Sequence, residues 1–426
     1  MYTKHSPYPF SRWFSVLLLV LALPFAAIAQ PQPQDDEDEE DPNATSLDTV
    51  VVTGTHIEGL TEEQLPVTIM DDEAIERTGA INMQDILTYI PSISDFEFED
   101  TNTATNGARG DVAGVNMRNL GSGNTLVLLN GRRMVVHPTF QAINNVPVQA
   151  YNVNSIPSSA ISRIEVLRDG ASPLYGADAS AGVVNFVPYT GYDGLNISGR
   201  YGWSDDTNYD EAEFTVAGGL EFNGGLTQLG LFGTFYDRSH VHQDELGEFF
   251  AILDRQGMDF LPEEWRSDSQ WNNGSTLTPY ARFRVGMLNE GGQFIGPTRH
   301  INPVTGAVGN GNGPARYNFN ETQWAVPSTE RVNFMATFSH MMDNNLEFFG
   351  DAFYYDASSD TQRAASPLDD SLAFLIVPPD AFYNPFPGQE VLLLGWRPVD
   401  LGPRIIPVDQ DSWRVLGGLR GEWGGW

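Results

Sequence analysis

The chain has no cysteine, which excludes a disulfide framework, a thiol nucleophile and a Cys-ligated metal. Lysine is absent after Lys4, so arginine is the strong cation of everything that follows. Basic residues are scarce overall: 23 Lys and Arg stand against 56 Asp and Glu, a formal net charge of -33. Gripping a phosphate backbone needs a basic face, so this balance argues against a nucleic-acid partner. Beyond residue 29 no apolar run reaches the ~20 residues that a membrane-spanning helix requires. Contact of the later chain with a membrane therefore falls to strands.

What is present begins with a leader. Lys4 and Arg12 precede an apolar stretch from Phe14 to Ile28, and Ala27-Ile28-Ala29 offers a small-residue cleavage site, so residues 1–29 read as a secretory signal. Residues 30–46 are Pro-punctuated and acidic (Asp35-Asp36-Glu37-Asp38-Glu39-Glu40-Asp41), which favours an extended, self-repelling linker. At its end lies Asp48-Thr49-Val50-Val51-Val52-Thr53-Gly54, a β-branched run of high strand propensity.

Residues 55–190 then read as one compact mixed domain. A strand is expected at Val67 to Met70, a helix at Asp72 to Arg77, and a second helix capped by Asn82 that runs to Tyr89 before Pro91. A Gly/Asn/Thr-rich loop from Asp100 to Gly114 leads to a strand at Val115 to Arg118, a turn at Gly121 to Asn124, and a strand from Thr125 into the turn Asn130-Gly131. Ile164, Val166 and Val183 to Phe186 are strand-like, and Gly170, Gly176 and Gly182 mark bends or close backbone approach.

The stretch from Ile156 to Val187, with Arg163, Glu165, Gly170, Tyr175, Gly176, Gly182 and Asn185, resembles the closing motif of the plug domain of TonB-dependent outer-membrane receptors. Thr125 to Asn130 with Gly131-Arg132-Arg133 is similar to that family's central strand and turn, and 48–54 resembles its TonB box. The departures are local: Pro91-Ser92, Arg118-Asn119 and Pro188-Tyr189 stand where the family usually has Pro-Gly, Arg-Gly and Ile-Thr-Lys. The resemblance implies that 48–54 is a handle, adding as a strand to the periplasmic coupling protein TonB. It also implies that the plug arginines Arg118 and Arg168 pair with barrel glutamates, expected to lie downstream of this chain. An Arg163–Glu165 pair is expected to be a surface contact worth little.

From about Leu195 the pattern becomes alternation. Leu195, Ile197, Tyr201 and Trp203 alternate with polar residues, and the same period of two recurs at Phe214, Val216 and Leu220; at Leu229, Leu231 and Phe235; at Val332, Phe334 and Phe338; around Leu346 to Tyr355; and at Trp413, Val415, Leu419 and Trp423. Turn sequences at Asn223-Gly224-Gly225 and Asp343-Asn344-Asn345 are short, whereas 239–330 and 357–411 are long, the asymmetry of an outer-membrane barrel. The expected fold class is an α+β plug domain followed by an antiparallel, incomplete transmembrane β-barrel segment of about six strands, with 191–426 as that segment. A barrel of ~8 strands holds only its own side chains and plugged transporters have ~22, so the chain reads as the N-terminal part of a longer receptor or as a truncated product.

No enzyme signature emerges. Gly121-Ser122-Gly123-Asn124-Thr125 lacks the Lys of a phosphate-binding loop and opens a strand. His240-x-His242 has metal-ligating spacing but no third ligand, and the acids around Asp205 and Asp210 suit a solvated hairpin as well as Ca²⁺, so no metal or cofactor is expected. Asn106, Arg109, Ser122 and Asn124 are the candidate substrate contacts, on the loop 100–114 and the turn 121–124, with the loop 239–330 beside them. By resemblance the partners are TonB with its inner-membrane energising complex, outer-membrane lipid, and a small-molecule or oligosaccharide substrate such as a siderophore complex, in the outer membrane of a Gram-negative cell. The competing reading is a secreted β-rich carbohydrate-binding or adhesion protein without transport activity.

Overall fold

The computed structural model describes residues 66–98, 110–137, 141–143, 146–148, 150–313, 315–342, 346–369 and 375–421. The leader, the linker, the 48–54 run, Asn106, Arg109, the turn 343–345 and Trp423 lie outside these residues.

The first domain holds strands β1 (Val67–Asp71), β2 (Ile93–Phe98), β3 (Gly114–Met117), β4 (Thr125–Leu129), β5 (Arg132–Arg133), β6 (Gln141–Ile143), β7 (Val146–Val148), β8 (Ile161–Leu167) and β9 (Gly182–Pro188). Five of them form one sheet in the order β1-β8-β9-β4-β5, with β4 and β9 parallel and the other pairs antiparallel. β4 is an unbroken apolar run and β9 nearly so because both faces of the sheet are covered. Two short helices lie beside it. α1 (Asp72–Thr78) starts where the Asp71 carboxylate accepts from the Ala74 amide at 2.8 Å and stops at Gly79, φ 65°. α2 (Met83–Thr88) is capped by Asn82, which accepts from the Asp85 amide at 2.9 Å, and buries Met83, Ile86 and Leu87 at helical spacing. The helix ends one residue before the expected Tyr89. The strand expected at 115–118 ends at Met117, because Arg118 and Asn119 turn to φ 52° and 55°.

The second part is a wall of six antiparallel strands paired in chain order: β10 (Leu195–Trp203), β11 (Asp210–Phe222), β12 (Thr227–Arg238), β13 (Ser328–Met341), β14 (Leu346–Arg363) and β15 (Arg404–Gly421). Among the described residues β10 and β15 do not pair with each other, so the wall is open. Its registers put Ile197, Val216, Gly233 and Phe334 in one outward row, and Trp413 and Val415 on that face are 69% and 74% exposed. The opposite face carries Arg200, Thr215, Thr234, Asn333, Tyr355 and Gln410, and it packs on the first domain.

The long connections are more ordered than bare loops. β14 runs on to Arg363 and β15 begins at Arg404, which shortens the expected 357–411 segment at both ends. Arg282–Leu288 from the first loop pairs antiparallel with Glu390–Trp396 from the second, so the two share a sheet, with Phe283, Val285 and Val391 buried in it. Between the domains the apolar core is continuous: Ala217, Phe232, Met335 and Phe353 of the wall join the buried cluster of the first domain. The Phe232 ring meets Tyr189 at 6.1 Å and Tyr192 at 5.4 Å between centroids. Burying a side chain of that size is worth ~1.5–3 kcal/mol.

Candidate functional site: the plug–wall junction

Within the first domain the motif residues form a hydrogen-bonded chain. Asn130 and Gly131 take φ 53° and 70°, the left-handed pair that a tight hairpin between β4 and β5 requires. The Gly131 amide donates to Asn185 Oδ1 at 2.9 Å, Asn185 Nδ2 donates to Glu165 Oε2 at 3.2 Å, and Arg163 Nε donates to Glu165 Oε1 at 2.8 Å. The Glu165 side chain is fully buried, which corrects the expectation of a surface pair: its carboxylate needs Arg163 because an unpaired buried charge is costly. Gly182 sits at φ 141°, and a side chain there would meet the Leu167 carbonyl at 2.5 Å, so β9 can approach β8 only with glycine. Gly170 and Gly176 flank the short helix α3 (Ser172–Tyr175). Its Tyr175 carbonyl accepts from Arg133, whose guanidinium also grips Asp178. That hydrogen bond holds the Asp178 carboxyl below the usual carboxylate range, and the Tyr151 hydroxyl donates to it at 3.2 Å. Arg132 is exposed on β5, with its guanidinium 5.1 Å from the Phe349 ring of the wall.

The contact between domains centres on Asp111. Its carboxylate takes Arg331 Nη1 of β13 at 2.9 and 3.0 Å, and Asn154 Nδ2 at 3.1 Å. The Tyr355 hydroxyl of β14 lies 2.9 Å from both Asp111 Oδ2 and the Asp111 carbonyl. Gln410 Nε2 of β15 donates to the same carbonyl at 2.7 Å, as does Asn152 Nδ2 at 2.7 Å. Arg331 further stacks its guanidinium 4.5 Å from the Tyr236 ring of β12. Asp111 and Arg331 are almost entirely buried, so this is a desolvated ion pair whose charges are compensated by hydrogen bonds from both sides.

Two further wall arginines point the same way. Arg200 Nη1 of β10 donates to the carbonyls of Gly79 at 2.7 Å and Ala80 at 2.6 Å, where α1 ends and unpaired carbonyls attract a cation. Arg414 of β15 lies 3.4 Å from Asp351 of β14 and its Nη1 reaches the Leu129 carbonyl at 3.5 Å. Arg200, Arg331 and Arg414 thus reach from the wall to acceptors on the plug, while Arg132 reaches from the plug to a wall ring. The glutamates that the resemblance pairs with Arg118 and Arg168 are expected downstream of this chain, not on this wall. Arg118 donates to the Ala181 carbonyl of its own domain at 2.7 Å, and Arg168 is exposed; among the described residues neither makes an ion pair. Residue-type pattern gave no sign of Asp111, which sits at the end of what reads as a loop.

The candidate substrate contacts divide. Ser122 is buried, which removes it from the surface, because the turn folds back on its own domain. Asn124 is exposed, yet its Nδ2 donates to the Leu120 carbonyl at 2.7 Å and its Oδ1 takes the Ser180 hydroxyl at 3.2 Å. In the loop expected at 100–114, residues 110–113 are buried against the wall and do not face outward. His240 and His242 both engage Trp324: one ring stacks on it at 3.9 Å, and the indole Nε1 donates to His242 Nε2 at 3.2 Å. Burial keeps His240 below its usual pKa. In the 204–209 turn, Glu245 accepts from the Asn208 amide at 2.6 Å and from its side chain at 3.0 Å, so a neighbouring loop ties that hairpin down.

The family model described as the TonB-dependent receptor plug domain matches residues 60–183. The vitamin B12 transporter BtuB of Vibrio vulnificus is 30% identical over 183 residues, which cover 43% of this chain and 27% of that protein. Among solved structures, a ferric enterobactin receptor of Pseudomonas aeruginosa aligns at 15% identity and TM-score 0.35, over 71% of this chain and 42% of its own. The siderophore receptor PirA of Acinetobacter baumannii aligns at 17% identity and TM-score 0.36, over 71% and 42%. The chain therefore spans about a quarter of the curated relative it matches. Residues 60–183 of the chain are therefore a TonB-dependent receptor plug domain, seated on an open wall of antiparallel strands.

Proposed function

We propose that this chain supplies the gate of an uptake receptor: a plug that blocks the barrel and is displaced when TonB pulls on residues 48–54. The observation that carries this reading is how the plug is fastened. Outside the cluster around Phe232, it is held to the wall by polar contacts, with arginines, Tyr355, Gln410 and Asn333 on plug acceptors, that can exchange for water as the plug moves. Substrate would be a scarce ligand too large to diffuse passively, as vitamin B12 is for one relative and enterobactin for another. Domain limits at 1–29, 30–46, 47–54, 55–190 and 191–426 accompany the proposal, with the loops after β12 and β14 on the outer side.

The test is coupling. Val51→Pro removes a ladder donor from the handle, so capture of the full-length receptor by the periplasmic domain of TonB should fall to background, while the amount of folded receptor in outer membranes stays unchanged. Undiminished capture of the proline variant would overturn the handle assignment.

A further inference from the structure

The loop between β12 and β13 carries a feature that the gate does not use. Trp265 and Trp271 lie with ring centroids 6.1 Å apart and planes within 18°. Two consecutive 3₁₀ turns, Glu263–Trp265 and Ser269–Trp271, set this spacing. The frame is fixed by backbone bonds: Asp268 N donates to the Trp265 carbonyl at 2.9 Å, Trp271 N to the Asp268 carbonyl at 3.2 Å, and Arg255 N to the Trp271 carbonyl at 2.9 Å. In the same loop Leu253 and Leu261 are buried, and Arg266 Nε donates to the Leu261 carbonyl at 3.1 Å. The backbone that carries the indoles is thus ordered before any ligand arrives, which lowers the ordering cost of binding.

The two tryptophans, Asp268 and Gln270 line a groove of ≈ 340 Å³. Trp265 is 51% exposed, so its ring is open to a ligand. Asp268 spends one carboxylate oxygen on the Gln270 amide at 2.9 Å, and both side chains stand exposed at the rim. The negative face of an aromatic ring attracts polarised C–H groups. A pyranose presents such C–H groups on one flat face and hydroxyls around its edge. A carboxylate and a carboxamide at the rim complement the hydroxyls, donating and accepting as needed. A flat, fully aromatic ligand would use the platform but leave the rim polar groups idle.

We infer that Trp265, Trp271, Asp268 and Gln270 form a saccharide site that receives one pyranose ring of a soluble or surface-bound glycan. The site rests on the receptor reading only for its access to ligands outside the cell. Binding is therefore measured on purified full-length receptor in detergent, where coupling to TonB plays no part. The probes are a printed array of neutral and acidic oligosaccharides, followed by tryptophan-fluorescence titration with each glycan retained, free or presented on a glycolipid in vesicles. At least one pyranose oligomer should bind, with affinity reduced tenfold or more in Trp265→Ala, and recovered within about threefold in Trp265→Phe, since each 1.4 kcal/mol is tenfold and stacking is mostly kept. Asp268→Asn should weaken binding less than Trp265→Ala. Retention of no glycan, equal binding by Trp265→Ala, or preference for a free catechol over every saccharide would each overturn the proposal. A receptor that binds glycan yet ignores TonB would leave this site standing and fail the gate reading alone.

Discussion

Replacing Asp111 by asparagine preserves shape and removes the charge that Arg331 answers. Arg331 would then be a buried cation facing neutral oxygens, the situation in which removal of one partner costs ~3–5 kcal/mol. The loss falls on docking of the 110–113 and 152–154 segments, because Asp111 bridges them to β13, β14 and β15. Amide exchange there reports local opening: Ala113 N donates to Asn152 Oδ1 at 3.1 Å and Val153 N to the Ala113 carbonyl at 3.1 Å. At 1.4 kcal/mol per decade the stated cost predicts exchange roughly 150- to 4,000-fold faster in Asp111→Asn. Peptides covering the sheet strands β4 and β9 should keep wild-type rates. Tyr355→Phe removes a hydroxyl that donates to Asp111 and accepts from Asn152 Nδ2 at 3.1 Å and Gln410 Nε2 at 2.6 Å; both amides keep the Asp111 carbonyl, so exchange should accelerate less, by ~1–3 kcal/mol. The double change Asp111→Leu with Arg331→Met should recover only part of the protection, since Asn154 Nδ2 loses its acceptor. Mass-spectrometric exchange on the full-length receptor in detergent decides it. Rates within threefold of wild type in Asp111→Asn, or a larger effect from Tyr355→Phe, would refute the assignment of the pair as the main fastening.

Phe232→Ala opens a cavity where the wall meets Tyr189 and Tyr192, and should cost ~3–5 kcal/mol, seen as protease cleavage of the plug at lower urea. Gly219→Ala would put a methyl group 1.6 Å from the Tyr192 carbonyl, forcing the 189–194 connection off β11 at the upper end of ~1–3 kcal/mol or beyond; thermal melting checks it. Asp178 is held below its ordinary pKa by Arg133, so its contribution is present at neutral pH and lost as pH falls below about 4 and on through the depressed value. A melting profile from pH 6 to pH 2 should show that loss, and Asp178→Asn should flatten it.

The outward face of the wall was legible because lipid-type alternation repeats on every strand, and residues such as Ile197, Phe334 and Trp413 fell where their period put them. The plug core was legible for a similar reason: β4 and β9 are short, continuous apolar runs with turn residues at their ends. The junction was not. Arg331 is one polar residue on a face where every second residue is polar, and its partner lies 220 positions earlier. No local pattern links such a pair. The burial of Ser122 was not legible, because a Gly-Ser-Gly-Asn turn reads as exposed. The loops after β12 and β14 were read as connections because their strands are two to seven residues long, and the pair that joins the two loops spans more than a hundred positions.

The shared core has a consequence for biogenesis. Ala217, Phe232, Met335 and Phe353 complete the interior of the plug from outside it, each on a different wall strand. A first domain made ahead of the wall is therefore an unfinished body, and its last apolar surface closes only after β11 to β14 have zipped together. Assembly of the sheet is then the event that completes the first domain's core, so a change that delays strand pairing would also leave that domain's apolar surface open for longer.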